Sequence, residues 1–90
     1  MLKIQRTNRF KKEFKKMIDR GHSVEKFKEV LEYLVNEKSL PPEFKDHKLR
    51  GNYGDYRECH IEPDWLLIYK ADEEILTLIL FRTGTHSDLF

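Results

Sequence analysis

Leu2 and Ile4 alternate with polar residues at the start of the chain, the period-two pattern of a short half-buried strand. The period then changes. Phe10, Phe14, Met17 and Ile18 recur at i, i+4, i+7 and i+8, the apolar stripe of a helix. Thr7 or Asn8 can cap its start, and Gly21 stands where a left-handed C-terminal cap belongs. Ser23 can cap a second helix with the stripe Phe27, Val30, Leu31, Leu34 and Val35, which Pro41 and Pro42 forbid from continuing. The tight "RGHS" turn predicts that the two helices lie antiparallel.

Beyond the prolines the pattern is β. "HKL" and "YRECHIE" flank "RGNYGD", "EPD" leads into "WLLIYK", and "ADEE" separates that strand from "ILTLILFR". Successive strands with short connections predict an antiparallel meander. Alternation along "YRECHIE" puts Arg57, Cys59 and Ile61 on the core side and leaves His60 on the other. The expectation is a single α+β domain over residues 1–90. A short N-terminal strand and two antiparallel helices would cover one face of a mainly antiparallel four- to five-stranded sheet. The opposite face is then free to carry a site.

Composition narrows the class. Hydrophobic residues make up 39% and charged residues 37%, a globular domain with a very polar surface. No apolar run reaches the roughly 20 residues that span a bilayer, and the N-terminus has no signal-peptide pattern. The single Cys59 cannot form an internal disulfide, so the cytoplasm is the expected compartment. The net charge of +1 hides a polarity: residues 1–50 carry +6 and residues 51–90 carry −5. A basic half suits phosphates or an acidic partner, although a Lys-rich helical surface is more often simply solvated.

The titratable residues add chemistry. His22 lies in the helix turn and suggests only local hydrogen bonding. His47, His60 and His86 fall at a strand start, a strand end and just past the last strand; Asp64 follows His60, and Arg82 closes the last strand. Cleavage of RNA by its own 2′-hydroxyl needs a base, an acid and a cation for the charge on phosphorus. Imidazole, with an unperturbed pKa of about 6.5, suits the first two roles, and guanidinium the third. That chemistry requires no cofactor. Zinc ligation by the same residues lacks an HxxxH or CxxC core. Histidines at strand ends that only satisfy local hydrogen bonds remain the plain alternative, and spacing alone leaves it standing. Trp65 and Phe90 are the aromatics placed toward a substrate, because aromatic rings stack on splayed bases. Phe10, Phe14, Phe27 and Tyr69 are expected in the structure's interior, with Cys59 an inert buried thiol.

"KDHKLRGNYGDYRECHIEPDWLLIYK" followed by "RTGTHSDLF" resembles the YafQ-like branch of the RelE/ParE superfamily of bacterial toxins. The blocks "KDH-L-G", "YR--H-EPDW-LIYK" and "RTGTH--LF" cover the β half almost continuously, and the helical half matches in pattern only. The resemblance implies a type II toxin that cuts messenger RNA in the ribosomal A site. It leaves a 2′,3′-cyclic phosphate and a 5′-hydroxyl. The resemblance also implies an antitoxin partner, a DNA-binding dimer whose tail wraps a toxin that is monomeric when free. By position it makes His47, His60, Asp64, Arg82, His86 and Phe90 functional, with Trp65 in support. His86 is then the expected general acid, and Asp64 or His47 the base. His60 would orient or share that proton, Arg82 would clamp the phosphate, and Phe90 would stack on the reacting nucleotide. A departure is "GNY", where the family often carries Ser-Trp; Tyr53 keeps the aromatic. A ParE-like toxin with a protein target, or a ribonuclease independent of ribosomes, is the competing expectation.

Overall fold

Thr7 starts the first helix. In a computed structural model describing residues 1–90, its hydroxyl oxygen accepts the Phe10 N–H at 3.0 Å and donates to the Phe81 carbonyl at 2.8 Å. One residue thus caps a helix and ties it to a strand 74 positions away. The helix α1 (Asn8–Asp19) ends at Gly21, whose φ of +93° only glycine adopts without strain. Ser23 caps α2 (Val24–Val35) by accepting the Lys26 N–H.

The strands are β1 (Lys3–Arg6), β2 (His47–Lys48), β3 (Arg57–Glu62), β4 (Trp65–Asp72) and β5 (Thr77–Gly84). They form one sheet in the order β1-β5-β4-β3-β2. All pairings are antiparallel except β1 with β5. Short 3-10 turns occupy Pro42–Phe44 and Gly51–Tyr53, and a four-residue helix, α3 (His86–Leu89), follows β5. The tail is therefore ordered structure, which the periodicity of so short a segment could not reveal. The architecture is the α+β arrangement expected, with five strands.

Both helices pack on one sheet face. Phe10, Met17, Phe27, Val30 and Leu34 meet Cys59, Ile61, Trp65, Leu67, Tyr69, Leu78 and Leu80 in one buried cluster. Leu2 is buried there too, whereas Ile4 is exposed, so only part of the first alternation faces the core. The opposite face is less bare than its polar pattern suggests, since Leu66 and Ile68 are also buried. Two irregularities interrupt the ladder. Near the end of β3, Ile61 has no cross-strand partner; in β5, Tyr69 pairs with Leu80 and Ile68 with Arg82, which leaves Phe81 extra. Such bulges bend a strand and re-aim its side chains.

Candidate active site

The register assembles the site on the face away from the helices. His47, Glu58, Ile68 and Arg82 form one cross-strand row over β2 to β5, and His60, Leu66 and Gly84 form the next. The β3–β4 turn and α3 reach over the second row from two sides. The turn supplies Asp64 and α3 supplies His86. Asp64 Oδ1 accepts the His86 backbone N–H at 3.0 Å and lies 2.6 Å from His86 Nδ1. The backbone bond first, and the imidazole bond second, hold the Asp64 carboxyl below its ordinary range. The pair therefore contributes fully above the ordinary carboxylate pKa of about 3.9 and is lost as pH falls through the lower folded value.

The three site imidazoles share one wiring. His47 Nδ1 is 2.8 Å from the Lys45 carbonyl, and His60 Nδ1 is 3.3 Å from the Pro63 carbonyl. His86 Nδ1 meets the Asp64 carboxylate. A carbonyl or carboxylate oxygen only accepts, so each Nδ1 carries the proton and each Nε2 is left as the working nitrogen. The rings of His60 and His86 stand edge to face with centroids 5.6 Å apart.

Glu58 belongs to this site and was not singled out from the sequence. It is 6% exposed, Oε1 lies 3.5 Å from His47 Nε2, and Oε2 is buried with no hydrogen-bond partner. Leaving a buried acceptor unpaired is costly, which marks the position as more than packing. The signal was present in the alternation that groups Glu58 with His60. Only the β2–β3 register, unknown beforehand, sets it opposite His47.

Arg82 is held differently from the expected free phosphate clamp. Its side chain is 11% exposed, and Nε and Nη2 donate to Glu13 of α1, the shorter contact being 2.6 Å. Glu13 also accepts the Thr83 N–H at 3.3 Å, on the β5 edge left open where β1 ends. This pair leaves Nη1 uncommitted.

Trp65 corrects the sequence reading. Expected to bind substrate, it is fully buried, donates from Nε1 to Thr83 Oγ1 at 2.7 Å and packs near Phe14, Phe27 and His22. No substrate can reach that ring without unfolding the core, so Trp65 supports the turn that carries Asp64. Phe90 is 69% exposed and not drawn into the core. On the site face Tyr56 stacks on Phe81 with centroids 4.4 Å apart, beside the exposed Tyr53.

A family model described as a bacterial toxin of type II toxin–antitoxin system, YafQ, matches residues 2–90. The mRNA interferase toxin YafQ of Escherichia coli strain K12 is 39% identical over 88 residues, covering 97% of this chain and 94% of that one. A crystal structure of the E. coli DinJ–YafQ complex matches with a TM-score of 0.90 at 37% identity, over 100% of this chain and 99% of that one. A crystal structure of a metal-bound toxin from Helicobacter pylori matches with a TM-score of 0.94 at 40% identity, over the whole of both chains.

Proposed function

The chain belongs to the YafQ family of type II toxin–antitoxin toxins, and from that premise we propose how it acts as an mRNA interferase. It is an endoribonuclease whose cut is made on the ribosome, in the A site. The observation that carries this reading is the Asp64–His86 pair, an ionised carboxylate holding an imidazole by Nδ1 so that Nε2 faces outward.

In the reaction His47 Nε2 takes the proton from a 2′-hydroxyl, and the Glu58 carboxylate, 3.5 Å from that nitrogen, stabilises the imidazolium that forms. The 2′-oxygen forms a bond to phosphorus as the bond from phosphorus to the 5′-oxygen breaks. His86, as the cation that Asp64 stabilises, gives its Nε2 proton to that leaving oxygen. The products are a 2′,3′-cyclic phosphate and a 5′-hydroxyl. His60 beside His86 shares in the proton traffic. Arg82 Nη1 stabilises the phosphorane charge, and Phe90 stacks on the nucleotide. The partners are an antitoxin with an acidic segment, matched to the basic half of the chain, and the ribosome with its message. The compartment is the cytoplasm.

Primer extension on a message carried by ribosomes stalled at a known codon tests this. Wild-type protein is expected to cut within the A-site codon only when ribosomes are present. His86→Ala is expected to lower the single-turnover rate by about 10²–10⁴-fold, the usual worth of a positioned acid. Cutting of free message at equal rate would move the reading to a ribosome-independent ribonuclease. No cutting with active ribosomes would move it to a toxin that binds a protein target.

A further inference from the structure

Long-range contacts run from the end of α1, and from the turn after it, to the two elements that carry the Asp64–His86 pair. Arg20 Nη1 donates to Asp88 Oδ2 at 2.8 Å, and Lys16 Nζ lies 3.9 Å from Asp88 Oδ1. Asp88 sits two residues beyond His86. Its Oδ2 also accepts the Thr85 N–H at 3.0 Å, while Thr85 Oγ1 accepts the Asp88 N–H, closing a capping box around α3. On the other side, His22 Nδ1 is 2.7 Å from Glu62 Oε1, and the His22 ring is 5.3 Å from that of Trp65. Glu62 and Trp65 bracket the turn that presents Asp64.

These contacts matter because neither element can hold itself. The helix α3 has four residues and none of them is buried. One helical turn is unstable alone in water. The capping box sets the internal shape of α3, and Asp64 ties it to a turn that is itself exposed. Arg20, with Lys16 at longer range, ties α3 to α1 through Asp88. The Asp88 carboxyl is held well below its ordinary range, with the Arg20 hydrogen bond as the largest cause.

We propose that Arg20 and His22 are positioning residues for the His86–Asp64 pair, Arg20 acting on α3 through Asp88 and His22 acting on the β3–β4 turn through Glu62. Neither touches substrate. Their part in turnover rests on the mRNA cleavage reading; their part in holding the pair does not. The ion pairs are partly exposed, and such pairs add little to global stability. Their loss therefore appears at the tail and the turn, with the core intact.

Two readouts on the full chain separate the possibilities. The first is ¹⁵N NMR of the free protein, following the backbone order of residues 85–90 and the His86 ring nitrogens. Arg20→Ala is expected to leave the core spectrum and the melting curve unchanged. The tail loses order, and the His86 nitrogens shift toward a free tautomer mixture. Arg20→Lys restores most of the order. Asp88→Asn, which keeps a capping acceptor without the charge, behaves as Arg20→Ala, and the double variant is no worse than either. His22→Ala shifts the Asp64–Trp65 turn, and His22→Asn, with a donor near the Nδ1 position, recovers it. The second readout is single-turnover cleavage on ribosomes. For Arg20→Ala kcat falls about 10–100-fold with KM unchanged, the scale of a small misplacement of reacting groups. A tail equally ordered in Arg20→Ala overturns the proposal. So does a loss of cleavage that Arg20→Lys shares fully. A wild-type chain that cuts no message, yet answers these variants by NMR as described, sinks the cleavage reading and leaves the positioning intact.

Discussion

Gly84 shows how tightly the site is closed around its own tail. A Cβ placed there would stand 2.9 Å from Asp88 Cβ, closer than carbon atoms tolerate. We expect Gly84→Ala to push α3 away from β5, since a four-residue tail yields more easily than a packed strand. Cleavage then falls at least about tenfold, while the melting temperature stays near that of the wild type. Cys59 makes the opposite case. Burial pushes its thiol far up, so it should not react with a disulfide reagent in the folded protein. A thiol titration with and without denaturant checks this, one equivalent appearing only on unfolding. At this scale the sequence exposed the residue types well: histidines, an aspartate and an arginine in a short β half ask for a chemical explanation. Trp65 was misplaced because "WLLIY" is apolar at every position. A strand segment buried on both faces carries no alternation to say which way a ring points. The partners Glu13–Arg82 and Arg20–Asp88 are 69 and 68 residues apart, beyond the reach of any local pattern.

Among the elements, β2 is the most exposed to disturbance, being two residues long and carrying His47. Asp46 anchors it. Its carboxylate accepts from Arg57 Nη2 at 2.9 Å and from the Tyr69 hydroxyl, linking β2 to β3 and β4. Asp46→Ala leaves that buried hydroxyl without its partner and is expected to cost about 1–3 kcal/mol in a denaturant melt. It should also slow cleavage by freeing His47. Burial first, and the Asp46 carboxylate second, raise the Tyr69 phenol. A folded state that binds the proton more tightly than the unfolded chain keeps this stabilisation below the ordinary tyrosine value of about 10. It loses it as pH rises further. Wild-type melting temperature should therefore drop above about pH 10 more steeply than that of Tyr69→Phe. The helices were legible because their stripes and caps agree: Ser23 caps α2, and of the two candidates Thr7 and Asn8 it is Thr7 that caps α1. The helix α3 was not, although Thr85 and Asp88 spell a capping box, because four residues are too few to show a period. The parallel pairing of β1 with β5 has no sequence signal of its own; it follows from where the helices return the chain.

For the molecule as a whole, the division of charge is the property its surroundings sense first. The basic half holds both helices, and the site lies on the face they do not cover. In the proposed reaction this favours encounter with ribosomal phosphates without entering the chemistry. Raising monovalent salt should lower kcat/KM for cleavage on ribosomes, steeply at first, and leave the single-turnover rate of bound toxin almost unchanged. A rate at saturation that fell in parallel would place the charge at the reacting phosphate instead. The layering of two helices on one sheet face was legible in the order of elements. That order also left the second face for function, though not the buried Glu58 within it.

The unpaired Phe81 makes β5 change parity. Before it, the residues facing the helices carry even numbers, Leu78 and Leu80; after it they carry odd ones, beginning with Thr83. Arg82 reaches the face away from the helices only because of that shift. Pairing Phe81 itself with Ile68, with no residue left over, would keep the composition and the strand, yet exchange inside for outside along the final stretch. Arg82 would then stand in the row that faces the helices and Thr83 in the row that faces away from them. One residue without a partner decides which side of the sheet each of the two presents.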